Sequence, residues 1–98
     1  MSSNNRVAAV TGAGTGIGKS SVLHLLRAGY SVALAGRRIG PLEETISEAG
    51  ISSDRAIGVP TDVSSKDSIV NFFEVIKDKF GRLDVLFNNA GIGAPRIP

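Results

Sequence analysis

The feature that most constrains the fold is a glycine-rich segment, Gly12–Gly18, between a short apolar stretch and a helical pattern. Arg6–Val10 is nearly all apolar, which is typical of a strand buried on both faces of a parallel sheet. From Ile17 to Ala28 apolar residues recur at helical spacing, and Gly29 is placed to end the helix. Glycine permits tight turns and close approach of the backbone to a phosphate, and a helix start presents free N–H groups to an anion. The segment therefore predicts a strand, a turn and a helix that together bind a phosphate group.

Three further strands are predicted from short apolar stretches. They are Ser31–Ala35, Ala56–Val59 and Val85–Phe87. Each is separated from the strand before it by a segment with a helical pattern. Strand and helix therefore alternate along the chain, as in a parallel sheet with helices packed on its faces. Because crossovers between parallel strands are right-handed, we expect a Rossmann-like, three-layer α/β/α fold with about four strands in the order 3-2-1-4.

The second and third helices carry start and stop signals. Pro41 is predicted at the first position of the second helix, and Gly50 ends it. Ser64 and Asp67 are predicted to form a capping box ahead of the third helix, which Gly81 ends. The predicted apolar faces of these helices are Leu42, Ile46 and Ala49, and Ile69, Phe72, Phe73, Ile76 and Phe80.

Two loops meet at one point of the predicted sheet. In the order 3-2-1-4 the first and fourth strands are neighbours where the winding reverses, and ligands bind outside the carboxyl ends of strands at such a point. The glycine segment follows the first strand, and Asn88–Gly91 follows the fourth. We therefore expect both loops to line one ligand crevice.

Length and composition exclude several function classes. With 98 residues the chain has room for one domain, and without cysteine it has neither a disulfide nor a thiolate metal site. His24 is the single histidine, and the net charge is only +2 without a basic block, so we expect no nucleic-acid partner. The longest apolar runs are far shorter than the roughly 20 residues that span a membrane. Residues 1–5 are expected to be a disordered tail without a secretion signal, and the expected location is the cytoplasm.

A second interpretation of the glycine segment is a nucleoside-triphosphate-binding loop. Ala13–Ser20 reads A-x-x-x-x-G-K-S, which departs from the Walker A pattern at its first residue. Such enzymes place an acidic residue after a later strand to hold magnesium, and Asp62 is the only candidate here. The fourth strand ends in Asn88 and Asn89 instead. We rank this interpretation second, and a structural turn without any ligand third.

Taken in order, the motifs resemble those of the short-chain dehydrogenase/reductase (SDR) family, over about residues 6–93. The similarity rests on Thr11–Gly18, Gly36–Arg38 after the second strand, Asp62–Val63 after the third and Asn88–Gly91 after the fourth. The resemblance implies that residues 1–98 are the N-terminal, NAD(P)-binding half of an oxidoreductase. The intact protein would transfer hydride between NADP(H) and a carbonyl or alcohol substrate and would be a homo-oligomer. This chain by itself would only bind the nucleotide.

The resemblance also assigns roles to individual residues. The glycine segment would hold the pyrophosphate, with the Ile17 N–H at the helix start. Asp62 and Val63 would border the adenine ring, Asn89–Gly91 would line the floor of the site, and Asn88 would tie neighbouring strands together. The full set of expected cofactor-binding residues is Gly12, Gly14, Thr15, Gly16, Ile17, Gly18, Arg37, Arg38, Asp62, Val63, Asn89, Ala90 and Gly91.

The choice of cofactor follows from charge. Family members that prefer NAD carry an acid at the end of the second strand, where it binds the ribose 2′-hydroxyl. That position is Gly36 here, followed by Arg37 and Arg38. A guanidinium binds a 2′-phosphate through paired charged hydrogen bonds, whereas a carboxylate would repel it. We therefore expect NADP as the cofactor, with NAD less favoured.

The catalytic pattern of the family does not occur in these 98 residues. In the family a tyrosine acts as general acid and base, and a lysine four residues later favours its phenolate form. Tyr30 is the single tyrosine and Leu34 lies four residues later, so we expect Tyr30 to pack in the fold. His24 is expected on the outward face of the first helix. The alternative to an oxidoreductase fragment is a free-standing, non-catalytic dinucleotide-binding module, against which the apolar edge strand Val85–Phe87 argues.

Overall fold

The computed structural model describes residues 6–14, 16–50 and 53–89, and places four parallel strands between three α-helices. The strands are β1 (Val7–Thr11), β2 (Ser31–Gly36), β3 (Ala56–Pro60) and β4 (Val85–Asn88), and the helices are α1 (Gly16–Arg27), α2 (Ile39–Ala49) and α3 (Lys66–Phe80). A short 3-10 turn, Ser53–Arg55, precedes β3. The strands lie in the order β3-β2-β1-β4, which confirms the predicted arrangement. The expected tail, together with Thr15, Ala90 and Gly91, lies outside the described residues.

Alternate residues of the central strands build two cores, one on each face of the sheet. On one face Val10 and Leu34 pack against α1 and α2, where Leu26 and Leu42 are buried. On the other face the small residues of β1 and β2 leave room for α3, which buries Phe72 and Ile76. The helices therefore cover both faces, and the three-layer prediction is confirmed.

The ends of α2 and α3 are as predicted, whereas their starts are not. Gly50 and Gly81 follow the two helices with φ of 65° and 78°, a left-handed conformation that favours glycine. Helix α2 begins at Ile39, so Pro41 is its third residue; the lack of an N–H is tolerated there because first-turn N–H groups have no partner within a helix. The capping-box prediction was wrong by one residue. The N-cap of α3 is Ser65, whose hydroxyl accepts a hydrogen bond from the Ser68 N–H.

Arg55 joins the start of β3 to the end of α1. Its Nη2 donates to the carbonyl oxygens of Leu26 and Tyr30 at 2.7 and 2.8 Å, so one side chain bridges the last turn of α1 and the loop that follows it. Tyr30 is half-buried against the core on the α1 side, as predicted, and His24 is exposed. Among the described residues, no helix has both the length and the apolar character needed to cross a membrane.

Candidate nucleotide-binding site

The carboxyl ends of the four strands lie along one edge of the sheet. Thr11 is the register partner of both Ala35 and Asn88, and Gly36 is the partner of Pro60. The Thr11 hydroxyl donates to Asn88 Oδ1 at 2.9 Å, so a side-chain hydrogen bond joins β1 to β4 where the winding reverses. The glycine segment and Asn89 therefore leave the sheet from adjacent strand ends, as the sequence predicted.

Glycines leave stretches of backbone without a side chain in the glycine segment. Gly12 and Gly16 have φ of 63° and 53°, and a Cβ added at Gly16 would meet nothing within 4 Å. A Cβ at Gly18 would overlap the carbonyl oxygen of Gly12, so α1 begins closer to the loop than any residue with a side chain allows. The first turn of α1 contains no acidic residue. A helix start that opens directly from bare backbone in this way fits a diphosphate.

The middle of the segment packs against the protein instead. Ala13 is buried, and its N–H donates to the Ala35 carbonyl at 3.1 Å. A Cβ at Gly14 would lie 2.9 Å from the Cβ of Pro41, so the missing side chain of Gly14 allows contact with the first turn of α2. The loop is thereby fixed against both β2 and α2.

A cleft of about 350 Å³ lies between the glycine segment and the start of α2. Arg37 and Arg38 line it with exposed side chains, and neither forms a salt bridge within the described part of the chain. Arg38 is also the N-cap of α2, which has no side-chain cap and no acidic residue in its first turn. The other lining residues are Gly12, Gly14, Gly36, Pro41 and Leu42. The cleft therefore combines two cations with a helix N-terminus, an arrangement that attracts an anionic group.

Asp62 lies just beyond β3, near Arg37. The Ser64 N–H and hydroxyl both donate to Asp62 Oδ1, at 2.9 and 2.6 Å, and lower the pKa of this carboxyl below its ordinary value, to which Arg37 adds a smaller effect. The Thr61 N–H donates to the Gly36 carbonyl at 2.6 Å, which keeps the end of β3 beside the end of β2. Asp62 is therefore an ionised acceptor close to the arginine-lined cleft.

The structure brings most of the predicted residues to this edge. Gly12, Gly14, Arg37 and Arg38 share the cleft, and Asp62 lies near Arg37. Val63 is half-buried beside Asp62, whereas Asn89 is exposed beyond β4 and Ile17 is 76% exposed at the start of α1.

Three residues contribute to the site although their sequence positions predicted no role there: Thr11, Pro41 and Ser64. The contact between Thr11 and Asn88 follows from the parallel register of β1 and β4, and an Asp-x-Ser spacing indicates that Ser64 can bind Asp62. The Pro41 contact had no sequence signal, because it depends on how closely α2 packs on the loop.

The lysine of the Walker-like pattern is engaged elsewhere. Lys19 Nζ lies 2.7 Å from Glu48 Oε2 on α2. In a nucleoside-triphosphate-binding loop the corresponding lysine reaches the phosphates. The structure therefore does not favour that interpretation of the glycine segment.

Comparison with known proteins agrees with the geometry. The sequence profile of the short chain dehydrogenase family matches residues 6–97. The chain belongs to this family. The cleft is therefore interpreted as part of a short-chain dehydrogenase. The two alternative interpretations, a triphosphate-binding loop and a free-standing dinucleotide-binding module, are not favoured.

Individual short-chain dehydrogenase relatives are similar over most of this chain. An uncharacterised oxidoreductase of Listeria monocytogenes is 36% identical over 92 residues, which are 94% of this chain and 37% of the relative. The N-domain of a bacterial malonyl-CoA reductase, solved with NADP, has a TM-score of 0.80 and 31% identity over 92% of this chain and 17% of its own. The 3-ketoacyl-(acyl-carrier-protein) reductase of Brucella melitensis, solved with NADH, has a TM-score of 0.76 and 31% identity over 83% of this chain and 32% of its own. The chain thus spans little more than a third of the length of the curated relative.

Proposed function

We propose that this chain is the N-terminal cofactor-binding half of an oxidoreductase that uses a nicotinamide dinucleotide, and that the dinucleotide is NADP(H). The observation that carries the proposal is the cleft in which Arg37 and Arg38 face the glycine segment. Family members solved with NADP and with NADH support a nicotinamide dinucleotide in general. The two cations, with no acid at Gly36, favour the phosphorylated form.

Each part of the site would hold a different part of the cofactor. The N-terminus of α1, with the bare backbone of Gly12 and Gly16, would bind the diphosphate. Arg37 and Arg38 would bind the 2′-phosphate, and Asp62 and Val63 would border the adenine. Thr15 and Asn89–Gly91 complete the proposed set. The nicotinamide ring supplies the hydride chemistry when the cofactor is bound.

The activity of the intact protein is part of the proposal. It would transfer hydride between NADP(H) and a carbonyl or alcohol in the cytoplasm, as a homo-oligomer, with the chemistry carried by residues outside this chain. A longer transcript of the same gene should encode a serine and a Tyr-x-x-x-Lys pair downstream of residue 98. A downstream sequence without such a pair would contradict this activity.

Reversing the charge at Arg37 tests the choice of cofactor. In Arg37→Asp, affinity for NADP should fall by roughly 10- to 100-fold relative to affinity for NAD, because a charge-assisted hydrogen bond to the 2′-phosphate is replaced by repulsion. Isothermal titration calorimetry of the 98-residue chain with each dinucleotide measures the ratio. An equal loss for NADP and NAD would contradict the 2′-phosphate role.

A matched pair of neutral variants separates local from general charge effects. Arg37→Gln and Arg27→Gln each remove one exposed cation, but Arg27 lies at the far end of α1 from the glycine segment. Only Arg37→Gln should lower the ratio of NADP affinity to NAD affinity. A similar change in both variants would mean that net charge, rather than a specific contact, sets the preference.

A further inference from the structure

Ser64 has a hydrogen-bonding role that the N-terminus of α3 does not require. Ser65 is the cap of that helix, and its hydroxyl accepts from the Ser68 N–H at 3.3 Å. Ser64 instead directs both its N–H and its hydroxyl to the carboxylate of Asp62. The hydroxyl is therefore free of helix capping and is bound to a residue of the proposed cofactor site.

The two hydrogen bonds from Ser64 end on the same carboxylate oxygen. Both reach Asp62 Oδ1, at 2.9 Å from the N–H and 2.6 Å from the hydroxyl. Within the described residues, Asp62 Oδ2 receives no hydrogen bond. The Asp62 backbone is fixed as well, because its N–H donates to Ser68 Oγ at 2.8 Å. One oxygen is therefore held, and the other is left to accept from a ligand.

An ionised carboxylate oxygen held in one direction selects a particular kind of nucleobase edge. It accepts from an N–H donor, such as the 6-amino group of adenine, and repels an acceptor oxygen in the same place. In hypoxanthine the 6-amino group is replaced by such an oxygen, while a donor N–H lies at the neighbouring ring position. A carboxylate that could rotate would accept from that N–H and would therefore bind hypoxanthine as well as adenine. A fixed carboxylate would face the 6-oxygen and would bind hypoxanthine more weakly.

We propose that Ser64 is a positioning residue that holds Oδ1 of Asp62, so that Oδ2 selects a 6-amino purine over a 6-oxo purine. This inference rests on the proposed function, because it requires the adenosine part of a dinucleotide to lie beside Asp62. This role accounts for the hydrogen bond from the Ser64 hydroxyl to Asp62, which is not needed for capping because Ser65 is the N-cap of α3. Specificity for the base then depends on a side chain that does not touch the ligand.

The experiment compares NADP with its hypoxanthine analogue, which differs from NADP only at the base. Binding of each dinucleotide to the 98-residue chain is measured by calorimetry. The unchanged chain should bind NADP roughly tenfold more tightly than the analogue, as expected from one hydrogen bond to a charged acceptor. Ser64→Ala removes the bond from the hydroxyl and keeps only the bond from the backbone N–H, so the carboxylate is held less firmly. The ratio should then fall to about twofold or less, mainly because the analogue is tolerated better.

Variants at the same and the neighbouring position separate positioning from stability. Ser64→Thr keeps a hydroxyl and should keep the ratio, whereas Ser64→Val has a similar shape without one and should lose it. Ser65→Ala removes the helix cap and should lower the melting temperature but leave the ratio unchanged. In an Asp62→Ala background, Ser64→Ala should have no further effect on the ratio.

The outcomes distinguish this inference from the proposed function. If the unchanged chain binds NADP but Ser64→Ala and Ser64→Val keep its base preference, Ser64 does not position Asp62. A chain that binds NADP and its hypoxanthine analogue equally would also overturn the inference and leave the proposed function standing. If the unchanged chain binds neither dinucleotide, the proposed function fails and the inference fails with it.

Discussion

Gly18 shows how one missing side chain determines the start of the cofactor-facing helix. The position that a Cβ would take is filled by the carbonyl oxygen of Gly12, which belongs to the backbone and cannot move aside on its own. The first turn of α1 is therefore pressed against the loop. This contact fixes the direction in which the free N–H groups at the start of α1 point.

Adding a methyl group at Gly18 should damage both stability and binding. We expect Gly18→Ala to lower the free energy of unfolding by about 1–3 kcal/mol or more, because the loop and the helix must separate. Urea denaturation followed by circular dichroism measures the loss. A variant as stable as the unchanged chain would show that the close approach is not required.

Gly40 provides the matched control for this substitution. It lies in the first turn of α2, and a Cβ there would meet nothing within 4 Å. Gly40→Ala should therefore be neutral or stabilising by up to about 1 kcal/mol, since alanine favours a helix. If both alanine variants lose stability equally, backbone flexibility rather than steric overlap would explain the effect.

Side-chain hydrogen bonds join β4 to β1 at both of its ends. It has four residues, and among the described strands only β1 pairs with it. At its start the Asp84 carboxylate accepts from the Val7 N–H at 2.8 Å and from Arg82 at 2.7 Å. The Asp84 N–H in turn donates to the Val7 carbonyl at 2.8 Å. Asp84 therefore sets the register of β4, and through it the position of Asn88 and Asn89.

Removing the charge of Asp84 should loosen β4 in a pH-dependent way. The hydrogen bond from Arg82, with that from Val7, lowers the pKa of Asp84 below its ordinary value of 3.8. Because the folded-state pKa is depressed, the stabilisation is fully present above about pH 4 and is lost as the pH falls through the folded-state pKa. Asp84→Asn should thus melt at a lower temperature than the unchanged chain at pH 6.

Thermal melts between pH 7 and pH 2 check this expectation. The difference in melting temperature between the unchanged chain and Asp84→Asn should close as the pH drops below 3.8. Arg82→Gln should have a smaller effect, because the bond from the Val7 N–H to the Asp84 carboxylate remains. A difference that stays constant down to pH 2 would mean that the charge of Asp84 contributes nothing.

The sequence predicted which helices and strands form more accurately than it predicted the residues at which the helices begin. Apolar runs and glycine stops located the four described strands and the ends of the helices, because burial and left-handed φ leave clear signals at particular residues. The starts of α2 and α3 were misplaced, since Pro41 is accepted at several first-turn positions and Ser64 and Ser65 are both potential caps. In the structure Ser64 donates to Asp62 and Ser65 is the cap, a division of roles that periodicity does not encode.

The site was predictable to the extent that strand order brings loops together. The predicted order of the strands places the glycine segment beside Asn88, and the parallel register of β1 and β4 agrees with it. The contact of Gly14 with Pro41 was not predictable, because it depends on the depth at which α2 packs against the sheet. The position of Arg37 beside Asp62 likewise depends on how the ends of β2 and β3 adjoin.

For the molecule as a whole, the edge of the sheet at β4 is the weak point. Phe87 is 37% exposed, and Leu86 beside it is only half-buried. Short apolar edge strands pair with one another when nothing covers them. We expect the 98-residue chain to self-associate through this edge, and Phe87→Lys to reduce the association.

Sedimentation velocity over a range of protein concentrations measures this association. Val70→Lys is the control. Val70 lies on α3 and is 47% exposed, so this substitution removes a similar apolar surface away from the strand edge. Phe87→Lys should shift the distribution to monomer at concentrations where Val70→Lys does not. An equal response of the two variants would point to nonspecific apolar contact instead of edge pairing.

The bonds from Val7 to Asp84 and from Thr11 to Asn88 each link residues 77 positions apart. The central strand β1 is thus synthesised before the other described strands, while β4, one of its two neighbours, is the last of the four to be made. Until β4 is synthesised, the backbone N–H and C=O groups on one side of β1 are unpaired and can bind other chains. The contact between β1 and β4 also forms slowly, because it closes a long loop. A chaperone that shields the nascent β1 during this interval would raise the yield of native protein more than one that acts after release.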